Sequence, residues 1–141
     1  MAHAPRNDTA LIDFPEVASR TFAQNYKDLA LATCIQRAYA ESPQVERDAG
    51  ATAAGLESTW TYYDVENGGL AISKLVDQYL RLEYASIRGP TIRLDLLKCF
   101  DMYHSRKLDA LVKRYVINPN RTYRQDRVMP RYDDRHPTSD K

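Results

Sequence analysis

The amino-acid sequence predicts an all-α protein: a single compact domain of about five helices, one of them central, with no sheet. Three observations carry this prediction. Apolar residues recur at spacings of three and four along most of the chain, the repeat of one helix face. Thr21, Ser42 and Ser105, residue types that start helices, stand just before those segments. No stretch of useful length alternates apolar with polar residues, so nothing reads as a half-buried strand.

Residues 1–19 hold Pro5 and Pro15 and little helical periodicity, and read as a mobile leader. The helical domain is expected over 20–117. Thr21 with Gln24 three residues on forms a capping box, and a helix should run from there to about Glu41. Phe22, Tyr26, Leu29, Ala30 and Thr33 make one of its faces; Leu31, Cys34, Ile35 and Ala38 make another. Two apolar faces mark the central helix. Ser42-Pro43 starts the next, with Val45, Ala49, Thr52, Ala53, Leu56, Trp60 and Tyr63 as its stripe and a kink expected near Gly50.

Asp64–Gly69, with Asn67-Gly68-Gly69, reads as a turn. Leu70 to Tyr84 is amphipathic, with Ile72, Leu75, Val76 and Tyr79 inward and Asp77 four residues before Arg81 as a candidate ion pair. Ala85–Pro90 is a second loop, held out of helix by Gly89-Pro90. Ile92, Leu96, Cys99, Phe100 and Tyr103 form the fourth stripe. Ser105 caps a last helix carrying Leu108, Leu111, Val112, Tyr115 and Val116, with Lys113 and Arg114 near its negative end. Residues 118–141 carry Arg and Asp without apolar periodicity and read as a disordered tail.

Charge and composition exclude several functions. The chain has 20 basic and 19 acidic residues, a net +1, which argues against phosphate-neutralising nucleic-acid binding and against a polybasic membrane surface. No apolar run approaches the roughly 18 residues of a membrane span. With 5 Gly and 2 Cys there is material neither for a phosphate-cradling loop nor for a four-ligand zinc site, so no metal and no cofactor is expected. Of the 3 His, only His104 lies in a helical segment; next to Ser105 it suggests a nucleophile pair, but adjacent residues at a helix end point apart. The reading is of a non-enzyme. A small helical hydrolase using His104 with a carboxylate is the alternative from another class, and a non-inhibitory dimeric interaction protein is a third. Cys34 and Cys99 are either two buried thiols or one disulfide, which would imply an oxidising compartment.

The aromatic load is weighted to Tyr, 10 against 3 Phe and 1 Trp, and Tyr serves interfaces through its apolar body and polar tip. If Trp60 and Tyr63 occupy a helical stripe, Tyr62 lies about 100° away and is the candidate for a surface contact.

Four strings carry a family resemblance: Phe22-Ala-Gln-Asn-Tyr-Lys-Asp-Leu-Ala-Leu-Ala-Thr-Cys34-Ile, Trp60-Thr-Tyr-Tyr-Asp64, Leu75-Val-Asp-Gln-Tyr79 and Leu96-Leu-Lys-Cys99-Phe-Asp-Met-Tyr-His-Ser105. Over Arg20 to Val116 the chain resembles the type VI secretion amidase immunity proteins of family four. The resemblance implies a small helical periplasmic protein, often a homodimer, that binds and blocks a cognate papain-like amidase cutting the peptide stems of peptidoglycan. It implies that Cys34 and Cys99 form a disulfide. The N-terminus has no charged-then-apolar signal pattern, so periplasmic placement implies that residues 1–19 are a processed or engineered end.

Blocking a Cys–His cleft needs no chemistry of the blocker, only a protruding segment on a rigid scaffold. The first candidate is the loop Ala85, Ser86, Ile87, Arg88, Gly89, Pro90 and Thr91, stiffened by Pro90 and armed with Arg88 for an acidic rim. The second comprises Trp60, Tyr62, Asp64 and Glu66, as a flanking contact or dimer surface. A near-neutral core, 13 basic and 12 acidic residues between Arg20 and Val116, must select its partner by shape and local charge.

Overall fold

The computed structural model describes residues 15–126. Among them are five α-helices and no sheet: α1 (Phe22–Ala38), α2 (Pro43–Gly55), α3 (Val65–Leu80), α4 (Asp95–Tyr103) and α5 (Arg106–Tyr115). A 3-10 turn, Glu16–Ser19, precedes α1, and a π-helical turn, Leu56–Trp60, follows α2.

α1 is the central helix and packs against each of the other four. Its start satisfies all four amide donors that a helix leaves open. The capping box closes two: Thr21 N–H donates to Gln24 Oε1 at 2.9 Å, and Gln24 N–H donates to Thr21 Oγ1 at 3.1 Å. The other two donate to the C-terminal segment, Phe22 to the Arg121 carbonyl at 2.8 Å and Ala23 to the Pro119 carbonyl at 3.0 Å. Along its length α1 buries Phe22, Asn25, Tyr26, Leu29, Ala30, Ala32 and Cys34.

Both expected chain ends therefore differ where the structure describes them. Within 118–126, expected as disordered tail, Thr122 pairs with Thr21, the Arg124 amide donates to the Ala18 carbonyl, and Tyr123 packs edge-on against Trp60 at 4.9 Å. The open amides at the N-terminus of α1 supply the partners that order this segment, a reason that no periodicity within it could announce. Within 15–19, expected as leader, Val17 and Ala18 are buried. Residues 1–14 and 127–141 lie outside the described residues.

α2 starts on Ser42-Pro43 but buries none of its residues. It runs straight through Gly50, where a kink was expected. A Cβ there would come within 2.8 Å of the Gln36 amide nitrogen, the far end of a flexible side chain that can move aside. The helix gives way at Gly55, and Thr61–Asp64 is extended. The Tyr62 carbonyl accepts from the Ile117 amide, and the Asp64 amide donates to the Tyr115 carbonyl, both at 2.9 Å. In extended backbone, neighbours point to opposite sides. Even so, both rings reach α1: Tyr62 meets Phe22, ring centres 5.9 Å apart, and Tyr63 meets Tyr26, 5.2 Å apart. Both tyrosines are buried. The surface position expected for Tyr62 assumed a helical angle between them, and that angle is absent.

Asn67-Gly68-Gly69, expected as a turn, lies in the first turns of α3, which Asp64 caps by accepting from the Asn67 amide at 3.1 Å. The Tyr26 hydroxyl donates to the Gly68 carbonyl at 2.8 Å. Burial foremost, then neighbouring charges, pushes the Tyr26 and Tyr63 phenols well above their ordinary range. Asp77 pairs across to Arg37 on α1 at 2.9 Å, in place of the Arg81 partner expected on its own helix.

α4 is turned from its expected face. Cys99 is joined to Cys34 of α1, Cα atoms 5.7 Å apart, closing a separation of 65 residues. That closure is worth about 4 kcal/mol in the chain-entropy account. The bridge points Lys98, Cys99 and Met102 inward and leaves Leu96, Leu97 and Phe100 exposed, with Ile92 before them.

Gly68 and Gly69 offer a matched pair. A Cβ on Gly68 would lie 2.8 Å from the Tyr63 ring and 3.1 Å from Tyr115 Cβ, whereas one on Gly69 meets nothing within 4 Å. Urea unfolding should show Gly68→Ala less stable by about 1–3 kcal/mol. Gly69→Ala should be neutral or more stable by up to about 1 kcal/mol. Equal effects would contradict the close approach.

Candidate functional site

The two candidate segments stand at opposite ends of α3. Trp60, Tyr62, Asp64 and Glu66 precede or begin the helix; the loop with Ala85–Thr91 follows it. A 16-residue helix rises roughly 24 Å, so the two do not form one cluster. Trp60 is half-buried, Tyr62 is buried, and Asp64 caps α3, leaving Glu66 exposed.

The loop from Arg81 to Leu94 is the more prominent feature. Ala85, Ile87, Arg88, Pro90 and Thr91 are exposed, and Ser86 and Gly89 partly so. Ile87 is fully in water, at 101% relative exposure. Local bonds shape the tip: the Arg88 amide donates to Ser86 Oγ at 3.1 Å, and the Ile92 amide to the Gly89 carbonyl at 3.2 Å. Gly89 holds a φ of 156°, a setting that side chains rarely adopt.

Both limbs of the loop are anchored on α4. On the outgoing limb, Tyr84 donates from its hydroxyl to Asp101 Oδ2 at 2.6 Å. On the returning limb, Arg93 pairs with Asp95 at 3.5 Å. Asp95 also accepts from Lys98 at 2.9 Å, and Lys98, only 2% exposed, lies with its ammonium 5.8 Å from the centre of the Tyr84 ring. Breaking a pair that buried leaves an uncompensated charge, so Lys98 and Asp95 hold each other in place. Leu94, between the loop and α4, has a left-handed φ of 58°, which costs a non-glycine residue on the order of 1–2 kcal/mol.

The sequence reading missed Tyr84, Asp95, Lys98 and Asp101 as the loop's supports. Lys98 in particular carried no signal, since a lysine within an amphipathic segment is ordinarily assigned to water.

The pair considered for nucleophilic chemistry is otherwise engaged. Ser105 Oγ is engaged as a cap, donating to the Met102 carbonyl at 2.7 Å and accepting from the Leu108 amide at 3.1 Å. His104 packs edge-on against Tyr103, ring centres 5.3 Å apart. Among the described residues, no group of three or more His, Cys, Asp or Glu is placed to hold a metal, and no helix is long and apolar enough to cross a membrane.

Comparison with known proteins gives two findings. The family model described as type VI secretion system (T6SS), amidase immunity protein, matches residues 24–112. A solved structure from the work "New Type VI-secreted toxins and self-resistance proteins in Serratia marcescens" is similar at 28% identity and a TM-score of 0.74. The likeness covers 87% of this chain and 99% of that one. A search of curated proteins gives no match.

The loop anchor can be read by titration. The hydrogen bond to Asp101, with smaller help from burial, pushes the Tyr84 phenol from 10.0 up to about 12. A raised folded value means that the stabilisation from this bond is complete below pH 10 and is lost as pH rises through 12. The difference between the ultraviolet titrations of wild type and Tyr84→Phe should have its midpoint near pH 12. Asp101→Asn should move that midpoint toward 10. A midpoint near 10 in the wild type would mean that the limb is not anchored.

Proposed function

The chain belongs to the type VI secretion system amidase immunity proteins, and from that premise we propose that it silences a cognate papain-like peptidoglycan amidase by filling its Cys–His cleft with the Ala85–Thr91 loop. An immunity protein works by binding its effector, so the chain is not an enzyme. The observation that carries the reading is Ile87. An apolar side chain stands wholly in water at the tip of a loop braced at both limbs, where no intramolecular contact rewards it. Binding energy at interfaces concentrates in a few side chains that fill desolvated partner pockets, Arg prominent among them. The braced limbs lower the ordering cost of binding. Exposed Arg88 supplies a cation for an acidic rim.

Glu66 serves as a flanking contact, with Trp60 and Asp64 as its support. Tyr62 is buried and is left out of the contact surface. The protein works in the periplasm, a reading supported by the Cys34–Cys99 bridge, which persists in an oxidising compartment. It works as a homodimer. The exposed apolar residues Leu96, Leu97 and Phe100 of α4 support this, because a two-fold interface requires a patch that complements itself.

Two measurements test these readings. In an amidase assay on peptidoglycan fragments, an equimolar amount of the wild-type protein should abolish cleavage. The Ile87→Asp/Arg88→Glu variant should require at least about tenfold more protein, equivalent to about 1.4 kcal/mol or more. Its melting temperature should not move, because both side chains are in water. Full inhibition by the variant would remove the loop from the mechanism. Sedimentation equilibrium should give twice the chain mass for the wild type and the single chain mass for Leu97→Asp; a monomeric wild type would remove the dimer.

A further inference from the structure

Between the limbs of the Arg81–Leu94 loop and α4 lies a cavity of about 450 Å³, within the size range of small-molecule sites. Three cations line it: Arg81 at the start of the outgoing limb, Arg93 on the returning limb and Lys98 of α4. Leu80, Pro90 and Ile92 give it an apolar wall. Glu83 is the one carboxylate among the described residues that line it.

These cations have fewer acceptors than they can use. Asp95 alone serves two of them, Lys98 at 2.9 Å and Arg93 at 3.5 Å. Asp77, the partner expected for Arg81, pairs with Arg37, and among the described residues Arg81 has no ion pair. Lys98 is the most demanding of the three. It is buried, and its ammonium carries three N–H donors, yet among the described residues it has one hydrogen-bond acceptor, Asp95 Oδ1. A buried donor without an acceptor is costly, so such a group favours a ligand that brings one. An anion is the ligand that answers all three side chains at once.

We propose that this cavity binds the C-terminal carboxylate of a short peptide, held by Arg81, Arg93 and Lys98. A bare anion would leave the apolar wall and Glu83 unused. A C-terminal residue carries a carboxylate, a side chain and an amide N–H on a single carbon. It therefore offers an anion to the cations, an apolar group to Leu80, Pro90 and Ile92, and a donor to Glu83. Arginine suits the first of these roles, because its planar fork matches a carboxylate with two parallel bonds. The bound carboxylate ties both limbs of the loop to α4 and adds to the Tyr84–Asp101 and Arg93–Asp95 anchors. The cavity is built from this chain alone, so the site stands apart from any amidase contact.

The test titrates the full wild-type chain with N-acetylalanine and follows the backbone amides by NMR. Shifts should saturate and centre on residues 80–84 and 90–98, the stretches that line the cavity. N-acetylalanine amide, which keeps the methyl and the N–H but has no carboxylate, should shift nothing. The Arg81→Gln/Arg93→Gln variant should bind N-acetylalanine at least about fivefold more weakly, with its melting temperature unchanged. Arg81→Gln alone, which breaks no ion pair, should weaken binding in the same direction and serves if the double variant folds poorly. Equal shifts from the acid and its amide would overturn the proposal, as would undiminished binding by both variants. A flat titration with N-acetylalanine would overturn it too. If the α-amide of N-acetylglutamic acid then shifted the same residues, the cavity would belong to an acidic side chain of a protein partner.

Discussion

The bridge between Cys34 and Cys99 is the constraint on which the placement of α4 and of the loop before it depends. It joins the C-terminal part of the central helix to the middle of α4, with both cysteines buried. α4 has 9 residues, of which Lys98, Cys99 and Met102 are buried. With the bridge in place, Lys98 is held inward beside Asp95, Asp101 is set to receive Tyr84, and Leu96, Leu97 and Phe100 face water. The loop between α3 and α4 inherits its position from that rotation. A single covalent bond thus converts a short helix into a platform, and the platform supports a loop that carries an apolar tip.

A second set of constraints operates at the N-terminus of α1. A helix start needs acceptors for four amides, and here two come from a capping box of neighbours and two from carbonyls nearly 100 residues away in sequence. The C-terminal segment is ordered by this requirement and in turn closes over Trp60 through Tyr123. The extended residues Thr61–Tyr63 sit between α1 and the end of α5, which explains why two adjacent tyrosines both reach the core. Polar backbone groups, more than apolar periodicity, decide the structure here.

A loop proposed to fill an effector's cleft needs rigidity and exposure at once. Immunity by binding rewards a segment that is already in its bound shape, because each residue ordered on association weakens the complex. The loop has the Tyr84–Asp101 and Arg93–Asp95 contacts at its limbs, and Leu94 at its end holds a left-handed backbone. The strain at Leu94 persists because the Lys98–Asp95 pair and the disulfide hold the start of α4 on either side of any relaxation.

The sequence by itself determined the helical class, the capping box of α1, the starts of α2 and α5, the exposed Ala85–Pro90 loop and, through its strings around Cys34 and Cys99, the immunity family. These are local properties: spacing, caps and punctuation act within a few residues and can be read there. Tertiary structure alone decided that Asn67-Gly68-Gly69 would be helix, that Tyr62 would turn inward, that Lys98 would be buried and that residues 118–126 would be ordered. Each of those depends on a partner distant in the chain. Gly68 stands where Tyr63 and Tyr115 leave no room for a side chain, and the C-terminal segment supplies the carbonyls that two amides at the start of α1 need. Local periodicity states which face of a segment is apolar; only the assembled fold states what stands opposite, and that is what places a loop where a partner can meet it.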